Sequence, residues 1–216
     1  LFDSPTPSAS LVTEVLELIG AMEIPVLVIP GNHDYGALGT VWHSSNFQKY
    51  HTKMAPNLLL LLDKQPTEID QAIIFPCPLL RNKENFDPTL WLRTYDWSTL
   101  SLNKPRIVLA HGGVHEFGGR DYNLDNEAEI ATSNVINLGA LPLSDIDYIA
   151  LGDWHNLKKI NNKAWYSGTP EADRFDQGEN NQRSQVLLVD SLRGEEPKVT
   201  PIPTGGIRWH NIKFRF

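Results

Sequence analysis

The 216-residue chain holds a single cysteine, Cys77, so no disulfide can form within it. Nothing in that usage marks an oxidising compartment, and a cytoplasmic location is the expectation. Cys77 stands between Pro76 and Pro78 in an apolar stretch, the setting of a buried filler rather than of a nucleophile. Long apolar runs are missing too. The longest, around Ile24–Pro30 and Leu58–Leu62, fall well short of the ~20 residues that cross a bilayer. Positive charge is also in short supply: 19 Lys and Arg against 26 Asp and Glu leave a net charge of −7. A nucleic-acid binder that works by counterion release normally presents a basic face. Here only divalent ions in an acidic cleft could take that role. There is no internal repeat, low-complexity tract or obvious linker. The length fits one α/β domain, or one domain with a small appendage.

Apolar spacing supplies the elements. Ser8 or Ser10 can cap a helix whose positions Leu11, Val12, Val15, Leu16 and Ile19 recur at helical period, with Gly20 at its end. Val26–Ile29 reads as a strand buried on both faces, as in a sheet covered by helices. Ala72–Phe75, Ile107–Ala110, Tyr148–Leu151, Ala164–Ser167 and Val186–Val189 read as further strands. Asp87-Pro88 is a good N-cap and first-turn pair for a helix through about Leu100, with Trp91, Leu92 and Tyr95 packing inward. The polar, Gly-rich stretch 116–126 reads as a surface loop near a site.

Three of these strands stop at loops rich in coordinating side chains: Gly31-Asn32-His33-Asp34, His111-Gly112-Gly113 and Gly152-Asp153-Trp154-His155. In open α/β sheets ligands bind beyond the carboxyl ends of strands. Asn, His and Asp together form a nitrogen and oxygen donor set that suits Mn, Fe, Zn or Co in a hydrolytic centre, without the thiolates of a structural zinc site. Two such ions ~3.5–4 Å apart hold a bridging hydroxide and clamp phosphoryl oxygens. Gly31 lets the backbone turn out of its strand. His33 then points toward substrate while Asp34 fixes its tautomer. Each loop alone has a plainer reading, as a solvated His in a turn, a satisfied buried His, or a strand-ending turn. Their joint occurrence argues for a metal site. His43, His51 and His210 lack that context and read as surface or structural; His115 stays as a near-site residue.

Val-Ile-Pro-Gly-Asn-His-Asp, Val-Leu-Ala-His-Gly and Tyr-Ile-Ala-Leu-Gly-Asp-Trp-His, in that order, resemble the blocks of calcineurin-like metallophosphoesterases. The segment Trp165-Tyr166-Ser167-Gly168-Thr169-Pro170-Glu171 with Phe175, and the opening Leu1-Phe2-Asp3-Ser4 with Pro7-Ser8, resemble the Mre11/SbcD-type branch of DNA repair exonucleases. The resemblance implies a four-layer αββα sandwich of two mixed sheets flanked by helices. It implies that Asn32 and His111 bind a second metal and His155 a first, with Mn as the expected ion. His33 would stabilise the transition state or protonate the leaving oxygen, and Asp3 would lie near the site. An SMC-type ATPase and a second copy of the chain are the implied partners.

Two departures from the family pattern bear on function. Asp153 stands where the family usually has His; it is retained as a second-metal ligand that shifts preference toward harder ions. The family's Asp-x-His and Gly-Asp blocks, which carry most first-metal ligands, are expected before Leu1, so this chain alone is expected to bind metal weakly and turn over little. The resemblance divides it into a phosphoesterase domain at 1–205 and, at 206–216, the crossing into a capping segment. Three functions compete: DNA phosphodiester hydrolysis, hydrolysis of a small phosphoester on the same blocks, and a scaffold that has lost catalysis.

Overall fold

A computed structural model describes residues 1–114, 133–173, 184–207, 210 and 212. The expected loop at 116–126, His115 and Phe175 lie outside the described residues. Helix α1 (Ala9–Gly20) starts where Ser8 Oγ accepts from the Leu11 nitrogen, and its stripe Val12, Leu16 and Ile19 is buried. A second helix, α2 (Ser45–Met54), is capped the same way by Ser44. Strands β1 (Val26–Val28) and β2 (Leu58–Leu60) pair in parallel beneath the two helices.

The main sheet is mixed. It draws on β3 (Thr67–Glu68), β4 (Ile73–Cys77) and β5 (Arg106–His111). A short parallel pair follows, β6 (Gly113–Val114) with β7 (Val135–Ile136). Then come β8 (Tyr148–Gly152), β9 (Lys158–Lys159) and β10 (Ala164–Tyr166), giving the order β3-β4-β5-β8-β10-β9. The central pairs β4–β5, β5–β8 and β8–β10 are parallel. Strands β11 (Gln185–Asp190) and β12 (Lys198–Pro203) form a separate antiparallel hairpin.

Period-2 alternation builds the layers. Val26 and Val28 face the helices, whereas Leu27 and Ile29 pack with Ile74, Ile107 and Leu109 between the two sheets. On the far face of the main sheet, Val108 and Ala110 join Phe75, Ile149 and Leu151 in the largest core cluster. The expected burial of Val26–Ile29 on both sides is thus realised only in part, all four residues being half-buried, and the order helix layer, sheet, sheet and outer cover follows.

The outer cover differs from expectation. In place of one helix from Asp87 to Leu100 there are two short 3-10 turns, Leu90–Arg93 and Trp97–Thr99. Nor does Asp87 cap the first: its N-cap is Thr89, which makes no side-chain cap bond, and Asp87 Oδ1 accepts from the Thr89 nitrogen in the turn before it. Asp96 Oδ1 then accepts from the nitrogen and hydroxyl of Ser98, a local bond that competes with helix continuation. The break lets Trp97 lie on Phe75 with ring centroids 4.5 Å apart, while Leu92 is fully buried. Among the described residues no helix is long and apolar enough to cross a membrane.

Candidate metal centre

β5 and β8 lie side by side in register, with His111 opposite Gly152. The loops that follow them therefore open at one end of the sheet, and the loop after β1 joins them there. There His111 Nε2 sits 3.0 Å from Asn32 Oδ1 and 3.6 Å from Asp153 Oδ1. Donors held about 2.0–2.2 Å from a shared ion stand roughly 3–3.6 Å from one another. His111 thus stands at the spacing of a neighbouring ligand from each of the other two side chains. Among the described residues no group of three or more His, Cys, Asp or Glu has metal-holding geometry; this trio reaches three donors only through the neutral Asn32.

The sequence secures His111 by omission. A Cβ at Gly31 would come within 2.8 Å of His111 Cε1, and a Cβ at Gly152 within 2.8 Å of His111 Nδ1. The imidazole fills the space that two missing side chains leave. Behind it, the buried Tyr166 hydroxyl donates to the Gly112 carbonyl at 2.6 Å and fixes the turn out of β5. Asp153 adopts φ 110, a left-handed backbone that L side chains rarely take and that costs of order 1–3 kcal/mol.

His33 and Asp34 part company. The Asp34 carboxylate is buried and accepts from the nitrogens of Gly31 (2.8 Å), Phe2 (3.0 Å) and Leu1 (2.7 Å). It therefore shapes the loop and ties the first residues to it, and does not orient His33 as expected. The carboxylate beside His33 is Asp3, with Oδ1 3.0 Å from His33 Nδ1, both side chains exposed.

His155 sits across the same opening. Its Nδ1 lies 2.6 Å from Asp173 Oδ2, which leaves Nε2 as the ring's other nitrogen, and metal-binding imidazoles commonly pair their second nitrogen with a carboxylate in this way. Asp173 was not legible in the sequence. The available signal was the turn at Gly168, with φ 73, which brings Thr169 back to donate to the His155 carbonyl. The loop is held further by Glu171. Backbone N–H groups of Gly206 and then Ile207 keep its carboxyl below the usual range.

Asp3, Asn32, His33, His111, Asp153 and His155 line one open cavity of ≈ 680 Å³. The remaining candidates fall elsewhere. His51 Nε2 contacts the Leu58 carbonyl at 2.9 Å and stacks on Phe47, and His43 Nε2 contacts the Gly36 carbonyl at 3.1 Å. Both are structural, as expected. Burial pushes the Cys77 thiol up to about 12, which removes it as a nucleophile at neutral pH. The donor set around His111, two oxygens and one nitrogen, fits a divalent hydrolytic ion.

Residues 1–189 match the family model described as calcineurin-like phosphoesterase. The chain is also similar to the SbcD component of the SbcCD nuclease of Staphylococcus epidermidis, 25% identical over 211 aligned residues. That match covers 88% of this chain and 54% of the relative, so the chain spans about half the length of that curated protein.

Proposed function

Because the chain belongs to the calcineurin-like phosphoesterase family, whose members use divalent metals, we propose that it hydrolyses phosphodiester bonds in DNA. The observation that carries the reading is the contact of His111 with both Asn32 and Asp153, 3.0 and 3.6 Å, in the cavity that His33 also lines. Asn32, His111 and Asp153 hold one ion and His155 contributes to the other; the oxygen-rich set favours Mn over softer ions. Bound ions supply positive charge for the phosphoryl oxygens and lower the pKa of water. His33, on the side of the cavity where Asp3 stands, carries a proton to the leaving oxygen, and Asp3 holds its ring through Nδ1. His155 is the donor for the first ion among the described residues, so the 216 residues taken alone bind metal weakly and turn over slowly.

The similarity to a nuclease component supports DNA as substrate, and with it an SMC-type ATPase and a second copy as partners of a cytoplasmic enzyme. The net charge of −7 favours a second reading, a small phosphoester substrate. The test compares duplex DNA with bis(p-nitrophenyl) phosphate in Mn²⁺, using the natural-length protein and its His33→Ala variant. Hydrolysis of both substrates, lost in the variant with metal still bound, is the expected result. Hydrolysis of the small ester alone favours the second reading. Inactivity on both with no metal uptake overturns the assignment and leaves a scaffold.

A further inference from the structure

One loop beside the metal centre carries cations that no part of the proposed chemistry uses. Asn82 Nδ2 donates to the Asn32 carbonyl at 2.9 Å, so the loop after β4 touches the backbone of a metal-binding residue. Arg81 and Lys83 flank Asn82, and both are exposed. Neither has an ion-pair partner among the described residues. Most other described cations are engaged. Arg93 pairs with Asp87, Lys104 with Glu68, and Arg106 and Arg193 with buried or half-buried aspartates.

The loop is rigidly mounted. Asn134, at φ 56, donates from Nδ2 to the Asn82 carbonyl at 2.9 Å and accepts at Oδ1 from the Glu84 nitrogen at 2.7 Å. Its own nitrogen donates to the Glu84 carbonyl, and its carbonyl accepts from Gly113, two residues beyond His111. The nearly buried Glu84 closes the turn by accepting from the Leu80 nitrogen at 3.0 Å. The loop is thus fixed to the Asn32 side and to the His111 side together. Its backbone is ordered before any ligand arrives, and it carries two exposed cations in a protein of net charge −7.

We propose that Arg81 and Lys83 form a phosphate-binding subsite at the rim of the metal centre, which engages the backbone of a DNA strand at a phosphate flanking the scissile one. The proposal rests on the phosphoesterase reading above and adds to it a reason for a polymeric substrate. A small phosphoester has no flanking phosphate to offer. Arg supplies a planar fork for phosphate oxygens and Lys a point charge, and neither reads sequence.

The experiment uses the natural-length protein and the double variant Arg81→Gln with Lys83→Gln, whose exposed positions leave the fold intact. Anisotropy of a labelled DNA duplex in EDTA is followed from ~50 to ~200 mM salt, where each phosphate contact contributes about 0.9 to the slope of log K against log salt. The variant is expected to lose about 0.9 from that slope, the share of one phosphate, and roughly tenfold in affinity at low salt. Its hydrolysis of bis(p-nitrophenyl) phosphate should stay within about twofold. Lys53→Gln, at an exposed position of α2, should leave the slope unchanged. Wild-type slope and affinity in the double variant, or an equal loss from Lys53→Gln, overturns the subsite while the phosphoesterase reading stands. Failure of the wild type on both the ester and DNA overturns that reading itself.

Discussion

His33 Nδ1 lies 3.0 Å from Asp3 Oδ1, a contact between side chains far apart in sequence. Asp3 follows Phe2, whose side chain is buried against Trp42 and whose nitrogen is held by Asp34. The neighbouring carboxylate therefore places the one that meets the imidazole. Removing His33 should lower turnover about 10²–10⁴-fold, the range for loss of a general acid or base. Asp3→Asn keeps a hydrogen-bonding oxygen but loses the charge, and should cost less, roughly tenfold, in kcat with KM unchanged. Steady-state kinetics on bis(p-nitrophenyl) phosphate separate the two. A loss through KM alone would mean that Asp3 binds substrate and does not hold His33.

The strand-end loops were legible because each candidate ligand lies just past an apolar strand, so order along the chain gives position in space. Asn32, His111, Asp153 and His155 all reach one cavity for that reason. Which carboxylate meets His33 was not legible. Asp34 adjoins His33 in sequence, but a tight turn sends adjacent side chains to different sides, and Asp34 is taken up by three backbone nitrogens. The segment Asp87–Leu100 misled for a similar reason. Its apolar spacing fits a helix, yet Asp96 bonds locally to Ser98, and Arg106 Nη2 donates to the Trp97 carbonyl at 3.1 Å. Such bonds depend on partners that spacing cannot show.

Asp173 gives a second expectation. Its carboxylate, 2.6 Å from His155 Nδ1, sets the direction of that ring. Loss of such a partner typically weakens metal affinity 10–100-fold. Titration calorimetry with Mn²⁺ on the natural-length protein should show that loss for Asp173→Ala, with a smaller one for Asp173→Asn, which retains an acceptor. The melting temperature should barely move, because the pair is half exposed. Unchanged affinity in Asp173→Ala, beside a clear loss in His155→Ala, would show that His155 needs no orienting carboxylate.

Asp153 sets ligation against backbone comfort. At φ 110 a side chain is strained by about 1–3 kcal/mol, whereas glycine adopts that conformation freely at an entropic cost of about 0.5–1 kcal/mol. With metal chelated, Asp153→Gly should therefore be more stable than wild type by about 1 kcal/mol in urea unfolding. Asp153→Ala, which keeps the strain, should not be. Both variants should lose metal affinity, since both lose the carboxylate 3.6 Å from His111. A glycine variant less stable than the alanine variant would show that the turn carries no strain worth relieving.

Asp147 tests whether stability and site are separable. It is fully buried just before β8, and Asp153 follows the same strand at its other end. Its oxygens accept from the Arg106 nitrogen at 2.8 Å, Arg193 Nη1 at 3.0 Å and the Gly194 nitrogen at 2.8 Å. The bond to Gly194 ties the β11–β12 connection to the main sheet. Replacing Asp147 by Ala strands the Arg193 charge and two backbone donors, and breaking a buried pair from one side costs about 3–5 kcal/mol. For a chain of this size that lowers the melting temperature by roughly 6–20 °C. Below its transition the variant should still bind Mn²⁺ with wild-type affinity, because the cavity lies one strand length away. Arg193→Met, which leaves Asp147 its two backbone donors, should cost less than Asp147→Ala. If it costs more, the side-chain ion pair holds this end of the sheet, and the backbone donors to Asp147 are secondary.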